Sequence, residues 1–266
     1  MTRADAPPPP DAGARWLDAA RAVLDGVAAQ HDAIERASRL CAEAIAGDGL
    51  VHLFGTGHSR IPLEEMFPRY GSYPGFHPIA ELSMTFHTQV VGANGQRQAM
   101  FIERISGLAE QILANFTLAV PDVMVVFSAS GRSAVPIEMA LGARRRGVKV
   151  IAVTSVAQSM SGPPTHDSGT RLLDHADVVL DLGTPAADAM VSIDGLAEPV
   201  GPGSTVANVA FVNAIKSRTA ELLVERGAMP PVITSESVVG AERSAELFEE
   251  AYLEYARRLS SALRVS

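Results

Sequence analysis

Two short polar segments of the sequence combine the residue types that hold a phosphate group. Residues 128–133 read SASGRS, and residues 55–60 read GTGHSR. Each segment follows an apolar run and precedes a pattern typical of a helix. A helix N-terminus offers free N–H groups and a positive dipole end, glycine lets the backbone approach a ligand closely, and serine hydroxyls add donors. The two segments therefore predict a phosphate cradle that needs no lysine.

The apolar runs around these segments are typical of buried β-strands. They occupy residues 50–54, 122–127, 148–154 and 177–182, and a further short strand is expected near residues 76–79. Helical patterns lie between them. Alternation of this kind favours an α/β fold, a sandwich of three layers in which helices cover both faces of a mostly parallel sheet.

Ligands of such sheets bind beyond the carboxyl ends of the strands. Thr154 and Ser155 follow the strand at residues 148–154, so they join the two serine segments as candidate binding residues. Two alternatives stay open. The serines could serve only as helix N-caps, or the first turn could bind a dinucleotide, although Arg60 stands where the third glycine of G-x-G-x-x-G belongs.

Composition limits the class of protein. The chain has 266 residues, is 47% hydrophobic and carries a formal net charge of −8, so neither a nucleic acid nor an anionic membrane is favoured as a partner. No apolar run reaches the roughly 18 residues of a membrane span. The single cysteine, Cys41, excludes a disulfide within the chain and favours the cytoplasm. No spacing of His, Cys and Asp matches a metal site, so neither a metal nor another cofactor is expected.

The motifs resemble those of the sugar isomerase (SIS) domain family. SASGRS resembles its Ser-x-Ser-Gly-x-Ser/Thr signature, GTGHS its first glycine-serine loop, and GVKVIAVTS its next strand and turn. HADVVLDL and GPGSTVANVAFVNAI are similar to its later strand and closing helix. The likeness extends over residues 15–226. An early SR…EE helix and the late segment MPPVITSES are typical of one bacterial branch of the family.

The resemblance implies a fold, a ligand class and a set of binding residues. It implies a five-stranded parallel sheet of the flavodoxin-like, nucleotide-binding type, a phosphosugar ligand and a homodimer. It further implies two groups of binding residues: Ser59, Ser128, Ser130 and Ser133 as phosphate ligands, and Gly57, His58, Ala129 and Gly131 as backbone at the site. Arg132, inside the signature, could pair with a phosphate or a sugar carboxylate, or it could face solvent.

Proton transfer at a sugar carbon needs a base, and a carboxylate in a pocket serves well. Glu64 and Glu65 lie on the short helix after the first loop, where related isomerases place a glutamate. Glu103 lies on an amphipathic helix expected from Phe101 to Phe116, where a second acidic residue would match the family's etherase. Each of these glutamates could equally be an ordinary surface residue. His166, in the loop after the strand at residues 148–154, could open a sugar ring.

The expected domain organisation has three parts. Residues 1–12 form a disordered Pro-rich tail, residues 13–226 form the SIS domain with its N-terminal helix, and residues 227–266 form a loop and helix that pack on the domain or on a dimer partner. The favoured function is aldose–ketose isomerisation of a phosphosugar. A phosphosugar lyase or etherase and a non-catalytic phosphosugar-binding protein are the alternatives.

Overall fold

A five-stranded parallel sheet forms the centre of the protein. The computed structural model describes residues 10–85 and 95–263. Its sheet has the strand order β2-β1-β3-β4-β5, and all four neighbouring pairs are parallel. The α/β fold expected from the sequence is therefore confirmed. The strands are β1 (Val51–Gly55), β2 (Phe76–Pro78), β3 (Val123–Phe127), β4 (Lys149–Thr154) and β5 (Val178–Asp181).

Helices cover both faces of this sheet. Side chains alternate along each strand, so Leu53 and Val125 join one apolar core while Phe54 and Val126 join the other. Every residue of β1 and β3 is buried, which explains their continuous apolar sequences. The helices are α1 (Ala12–Ala28), α2 (His31–Ala46), α3 (Ile61–Met66), α4 (Leu82–Thr85), α5 (Gly95–Ile102), α6 (Leu108–Leu113), α7 (Ala134–Arg145), α8 (Val156–Met160), α9 (Ser204–Glu225), α10 (Glu236–Val239) and α11 (Ala241–Ala262).

A two-stranded hairpin, which the sequence patterns did not predict, precedes α9. Strands β6 (Ala189–Val191) and β7 (Val200–Pro202) pair antiparallel. The carboxylate of Asp188 accepts hydrogen bonds from the N–H and the hydroxyl of Ser204, at 2.8 and 2.7 Å. Asp188 thus accepts hydrogen bonds at the start of α9, as an N-cap side chain would, although it lies outside the helix.

The C-terminal helix α11 packs on the domain. Buried Arg258 donates from Nη1 to the carbonyl oxygens of Ile45 and Gly49, at 2.8 and 2.9 Å. The Tyr255 hydroxyl lies 2.7 Å from Nδ1 of His77, which is on β2. These contacts fix α11 across the ends of α2 and β2.

The N-terminal tail predicted for residues 1–12 lies largely outside the described residues, which start at residue 10; α1 begins at Ala12. Within the described residues, 10–85 and 95–263, no helix is long and apolar enough to cross a bilayer.

Candidate functional site

The two serine-glycine loops lie side by side because their strands are neighbours. Strands β1 and β3 pair in register, with Gly55 opposite Phe127. The next residues, Thr56 and Ser128, therefore leave the same edge of the sheet together. This edge holds the carboxyl ends of parallel strands, where ligands bind in open α/β sheets.

Glu103 joins the two loops. Its Oε2 accepts a hydrogen bond from the Thr56 hydroxyl at 2.7 Å, and its Oε1 accepts one from the Ser133 hydroxyl at 2.9 Å. The main chain adds a third contact, because the N–H of Val135 donates to the carbonyl oxygen of Glu103 at 3.0 Å. The carboxylate is thus half-buried between the loops and held by two neutral donors.

Glu103 reaches this position because the chain leaves the helix there. The single helix expected from Phe101 to Phe116 is wrong: α5 ends at Ile102 and α6 begins at Leu108. Gly107, with φ of 87°, makes the turn into α6 in the left-handed region that glycine tolerates. The N–H of Gly107 donates to the Glu138 carboxylate at 2.8 Å. Contacts with α7 and the serine loops therefore override the helical periodicity of this stretch.

The SASGRS segment forms a tight turn at the start of α7. Gly131 has φ of 59°, and its N–H donates to the Ser128 hydroxyl oxygen at 3.2 Å. The Ser130 hydroxyl accepts from the N–H of Arg132 at 3.4 Å. Ser133 is the N-cap residue of α7, but its hydroxyl donates to Glu103 instead of capping the helix. The first turn of α7 consequently faces the site without a side-chain cap.

Thr154 and Ser155 support this turn from beneath. Both are fully buried. The Thr154 hydroxyl donates to the carbonyl oxygen of Ala129 at 3.2 Å, and the Ser155 hydroxyl donates to that of Thr184 at 3.0 Å. The N–H of Ser155 also donates to the Ala129 carbonyl at 3.0 Å. The structure therefore places these two residues behind the loop, where they position its backbone.

A cleft of about 420 Å³ opens in front of the loop. Within the described residues, neither arginine of this cleft, Arg104 or Arg132, forms a salt bridge with a carboxylate. The Arg132 guanidinium packs against Gly162, and the Thr165 hydroxyl donates to the Arg132 carbonyl oxygen at 2.8 Å. Serine hydroxyls and two guanidinium groups give the cleft the donors that an oxyanion requires. The lining residues are Arg104, Ser106, Ser130, Arg132, Ser133, Ala134, Thr165, His166 and Asp167.

The first loop contributes a short 3-10 turn over residues 57–60. Gly57 adopts φ of 54°, His58 is exposed and Ser59 is half-buried. Gly55 is required before this turn, because a Cβ there would lie 2.3 Å from the Ser59 carbonyl oxygen. The turn lies beside the SASGRS loop, and its residues are outside the set that lines the cleft.

Glu64 and Glu65 lie on α3 and pair with arginines. Glu64 is exposed, with its Oε1 3.3 Å from Nε of Arg60. Glu65 pairs with Arg69 at 2.7 Å and accepts from the Asn213 side chain on α9 at 3.3 Å. None of the three predicted glutamates is in the set that lines the cleft; Glu103 adjoins it through its hydrogen bond with Ser133.

His166 is one of the residues that line the cleft. Its Nε2 lies 3.4 Å from Oε1 of Glu138, and its Nδ1 lies 2.7 Å from the Ser168 hydroxyl. Sequence reasoning missed Thr56 and Glu138. The position of Thr56 directly after a buried strand was a usable signal, whereas nothing in the spacing of Glu138 on a helix distinguishes it from a surface residue. In the described part of the chain, no three His, Cys, Asp or Glu side chains are placed to hold a metal ion.

Comparison with known proteins agrees with this architecture. The family described as SIS domain matches residues 15–155. Among solved structures, a phosphoheptose isomerase from Francisella tularensis has a TM-score of 0.50 at 16% identity and covers 77% of this chain and 95% of that one. The parallel sheet and the serine loops after β1 and β3 are thus those of a sugar isomerase domain, and the chain belongs to the SIS domain family.

Closer relatives share most of the chain. A UPF0309 protein of Streptomyces avermitilis is 36% identical over 229 residues, covering 85% of this chain and 89% of its own length. A UPF0309 protein of Geobacillus kaustophilus is 34% identical over 225 residues, covering 85% and 87%. The similarity to UPF0309 proteins therefore extends well beyond the segment that the SIS domain family matches.

Proposed function

We propose that this protein binds a phosphorylated sugar in the cleft before α7 and interconverts its aldose and ketose forms. The observation that carries the proposal is the position of Glu103, whose carboxylate bridges Thr56 and Ser133 between the two serine loops. A half-buried carboxylate beside an anion cradle is suited to moving a proton at a carbon next to a carbonyl group. The fold shared with a phosphoheptose isomerase supports the same class of substrate.

The phosphate is assigned to the SASGRS loop and the start of α7. Ser130 and Arg132 line the cleft and offer a hydroxyl and a guanidinium donor. Ser133 lines it as well, with its one hydroxyl proton donated to Glu103. The first turn of α7 adds the N–H of Ala134 and the positive end of the helix dipole; the N–H of Val135 donates to the Glu103 carbonyl, and Pro136 has none. Ser128 orders the turn by accepting from Gly131. The first loop, with Gly57, His58 and Ser59, is assigned to the sugar or to a second side of the phosphate.

Glu103 is assigned as the base. Isomerisation through an enediol moves one proton between neighbouring carbons, so a single carboxylate can take the proton from C2 and return it at C1. The two hydroxyls that hold Glu103 fix its direction and leave it without a cationic partner among the described residues. His166, which lines the cleft, is assigned to the proton of the sugar oxygen. Glu64 and Glu65 pair with Arg60 and Arg69, so we give neither a catalytic role.

A phosphosugar-binding protein without catalysis is the second candidate. It is favoured by one observation, the pairing of Glu64 and Glu65 with Arg60 and Arg69 away from the cleft. The lyase or etherase alternative would use two carboxylates in one cleft. Among the described contacts, Glu103 is the only one of the three predicted glutamates that accepts from hydroxyls of the serine loops. Turnover that depends on Glu103 distinguishes catalysis from binding alone.

The test combines binding with proton exchange. Thermal unfolding is measured with a panel of aldose and ketose phosphates and with the free sugars; a ligand at 100 times its Kd adds about 2.7 kcal/mol of stability. Ser130→Ala should abolish the shift. For each aldose phosphate that binds, loss of the C2 proton signal in D₂O is followed by NMR; for each ketose phosphate, loss of a C1 proton signal is followed.

Glu103→Gln, which keeps the shape of the side chain, should retain binding and lower the exchange rate by at least about 10²-fold. Glu65→Gln is the matched control and should exchange normally. Binding with no exchange by the wild type would support the binding protein. Loss of exchange in Glu65→Gln and not in Glu103→Gln would overturn the assignment of the base.

We further propose that the chain binds a second copy of itself as a homodimer or a higher homo-oligomer. An apolar groove between α1 and α9, lined by Leu24, Val206, Val209 and Ala210, offers a surface for it. The proposal also includes the cytoplasm as the compartment, because the single cysteine, Cys41, is buried and allows no disulfide within the chain.

A further inference from the structure

Four side chains form a continuous hydrogen-bonded chain that leads away from the cleft. His166 lines the cleft, and its Nδ1 lies 2.7 Å from the Ser168 hydroxyl. The Ser168 hydroxyl lies 2.5 Å from that of Thr170, which lies 2.6 Å from Nε2 of His175. Two imidazoles are thus joined through two hydroxyls, and every link is a short hydrogen bond.

Backbone groups give this chain a direction. The N–H of Ser168 donates to Nδ1 of His166 at 3.3 Å, and the N–H of Thr170 donates to the Ser168 hydroxyl oxygen at 3.3 Å. An N–H can only donate, so Nδ1 of His166 is an acceptor and its proton resides on Nε2. The simplest consistent pattern has Ser168 donating to His166, Thr170 donating to Ser168, and His175 donating from Nε2 to Thr170.

We propose that Ser168, Thr170 and His175 form a proton relay that serves His166. This inference rests on the proposed function, in which His166 handles the proton of a sugar oxygen. When His166 gives its Nε2 proton to that oxygen, the Ser168 proton moves to Nδ1 of His166. The Thr170 proton then moves to Ser168, the Nε2 proton of His175 moves to Thr170, and His175 takes a proton from water at Nδ1.

The same steps balance over a complete turnover. Aldose–ketose isomerisation protonates one oxygen and deprotonates its neighbour, so the proton that left through His166 returns in the second half of the reaction. The relay then runs in reverse, and His175 releases a proton from Nδ1 to water. Each atom regains its starting proton, and no oxidant or second substrate is needed.

The surroundings of His175 suit the outer end of such a relay. His175 is half-buried at the end of a 3-10 turn over residues 172–175, and its carbonyl oxygen accepts from Nη1 of Arg144 at 3.3 Å. Burial lowers the pKa of His175; the carboxylate of Asp174 opposes this, while Arg144 and His166 add to it. Glu138 and Asp167 are the acidic groups near His166.

Kinetics provide the first test, on the full-length protein with any phosphosugar that it turns over. Thr170→Val removes one hydroxyl at nearly constant volume, and we expect kcat to fall about tenfold with KM unchanged, since acid–base groups contribute about 10²–10⁴ to rates. Thr170→Ser should restore kcat. His175→Gln should lose a similar factor, and added imidazole, which donates protons from solution, should recover it. An unchanged kcat and pH profile in Thr170→Val would overturn the relay.

NMR of the imidazole nitrogens provides a second test that requires no turnover. In the wild type, neutral His175 should be a single Nε2–H tautomer, because its Nε2 donates to the Thr170 hydroxyl. In Thr170→Val, Nε2 of His175 loses this acceptor, and His175 should become a mixture of tautomers; Thr170→Ser should restore the single form. His166 should remain an Nε2–H tautomer in both variants, because the N–H of Ser168 still donates to its Nδ1. An unchanged His175 tautomer in Thr170→Val overturns the relay. A changed tautomer without any phosphosugar binding supports the hydrogen-bonded relay while refuting the proposed function.

Discussion

Gly131 and Gly57 offer a matched pair for testing how the phosphate loop is built. Both are in loops that follow neighbouring strands, and both adopt left-handed backbone, with φ of 59° and 54°. A Cβ on Gly57 would meet nothing within 4 Å, whereas a Cβ on Gly131 would lie 2.8 Å from the Thr154 hydroxyl oxygen. Alanine at either position should therefore cost backbone strain, but only Gly131→Ala should also displace a buried neighbour.

The expected losses differ by a measurable amount. Left-handed backbone costs an L-residue about 1–2 kcal/mol, which is the whole effect expected for Gly57→Ala. In Gly131→Ala, Thr154 must move, and its hydrogen bond to the Ala129 carbonyl is worth about 1 kcal/mol. Overpacking a fully buried site adds about 1–3 kcal/mol. Gly131→Ala should thus be destabilising by about 3–6 kcal/mol in total.

Urea denaturation of both variants measures these losses of stability, provided that the slope of the unfolding free energy against urea concentration is the same in each variant. Thr154→Ala removes the atom that the new methyl group meets, so the double variant Gly131→Ala/Thr154→Ala should be more stable than the sum of the single losses predicts. Equal losses for Gly131→Ala and Gly57→Ala, or strict additivity in the double variant, would refute the reasoning about close packing behind the loop.

Two further predictions concern the region where α11 meets the sheet. Burial, with a smaller effect of His52, lowers the pKa of His77 to about 3 from an ordinary 6.5. Below pH 6.5 the imidazole of His77 therefore binds a proton in the unfolded chain, whereas in the folded protein it stays neutral down to about pH 3. The free energy of unfolding should drop by about 2 kcal/mol between pH 7 and pH 5 on this account. Denaturant titrations should show a shallower drop for His77→Gln; the same slope as the wild type would contradict the assignment. Arg258→Ala removes the Nη1 donor to the Gly49 and Ile45 carbonyls, of which Ile45 still accepts from the N–H of Asp48, and it should cost about 2–4 kcal/mol. Its neighbour Arg257 is half-exposed and pairs with Asp48, so Arg257→Ala should cost under about 1 kcal/mol; equal losses in thermal unfolding would oppose a structural role for Arg258.

The sheet and its loops were predictable because each depends on local patterns. A run such as that of β3 is buried on both faces, so every residue is apolar, and the glycine and serines that follow mark its end. Which loops become neighbours was predictable as well, because parallel strands bring their carboxyl ends to one edge. The hairpin β6–β7 escaped prediction because its strands of three residues are too short to display an alternation.

The position of Glu103 was harder to predict because it depends on contacts distant in sequence. Its hydroxyl partners, Thr56 and Ser133, lie 47 and 30 residues away. The periodicity from Phe101 to Phe116 is that of a continuous helix, and local propensity gives no reason for a break at Ile102. The break follows from tertiary contacts at both ends of the turn, with the serine loops at Glu103 and with Glu138 at Gly107.

The different partners of the glutamates bear on which of them can act as the base. Glu65 pairs with Arg69, so giving it a proton breaks an ion pair, and its side chain is held toward α9. Glu103 is held by two hydroxyls, which fix its orientation without opposing its protonation by a full positive charge. In the proposed function, Ser133 belongs both to the phosphate loop and to this bridge, so phosphate binding and the position of the proposed base would be coupled through one hydroxyl. The carboxylate of Glu103 shares a residue with the proposed anion cradle, and this arrangement supports its assignment as the base over that of Glu65.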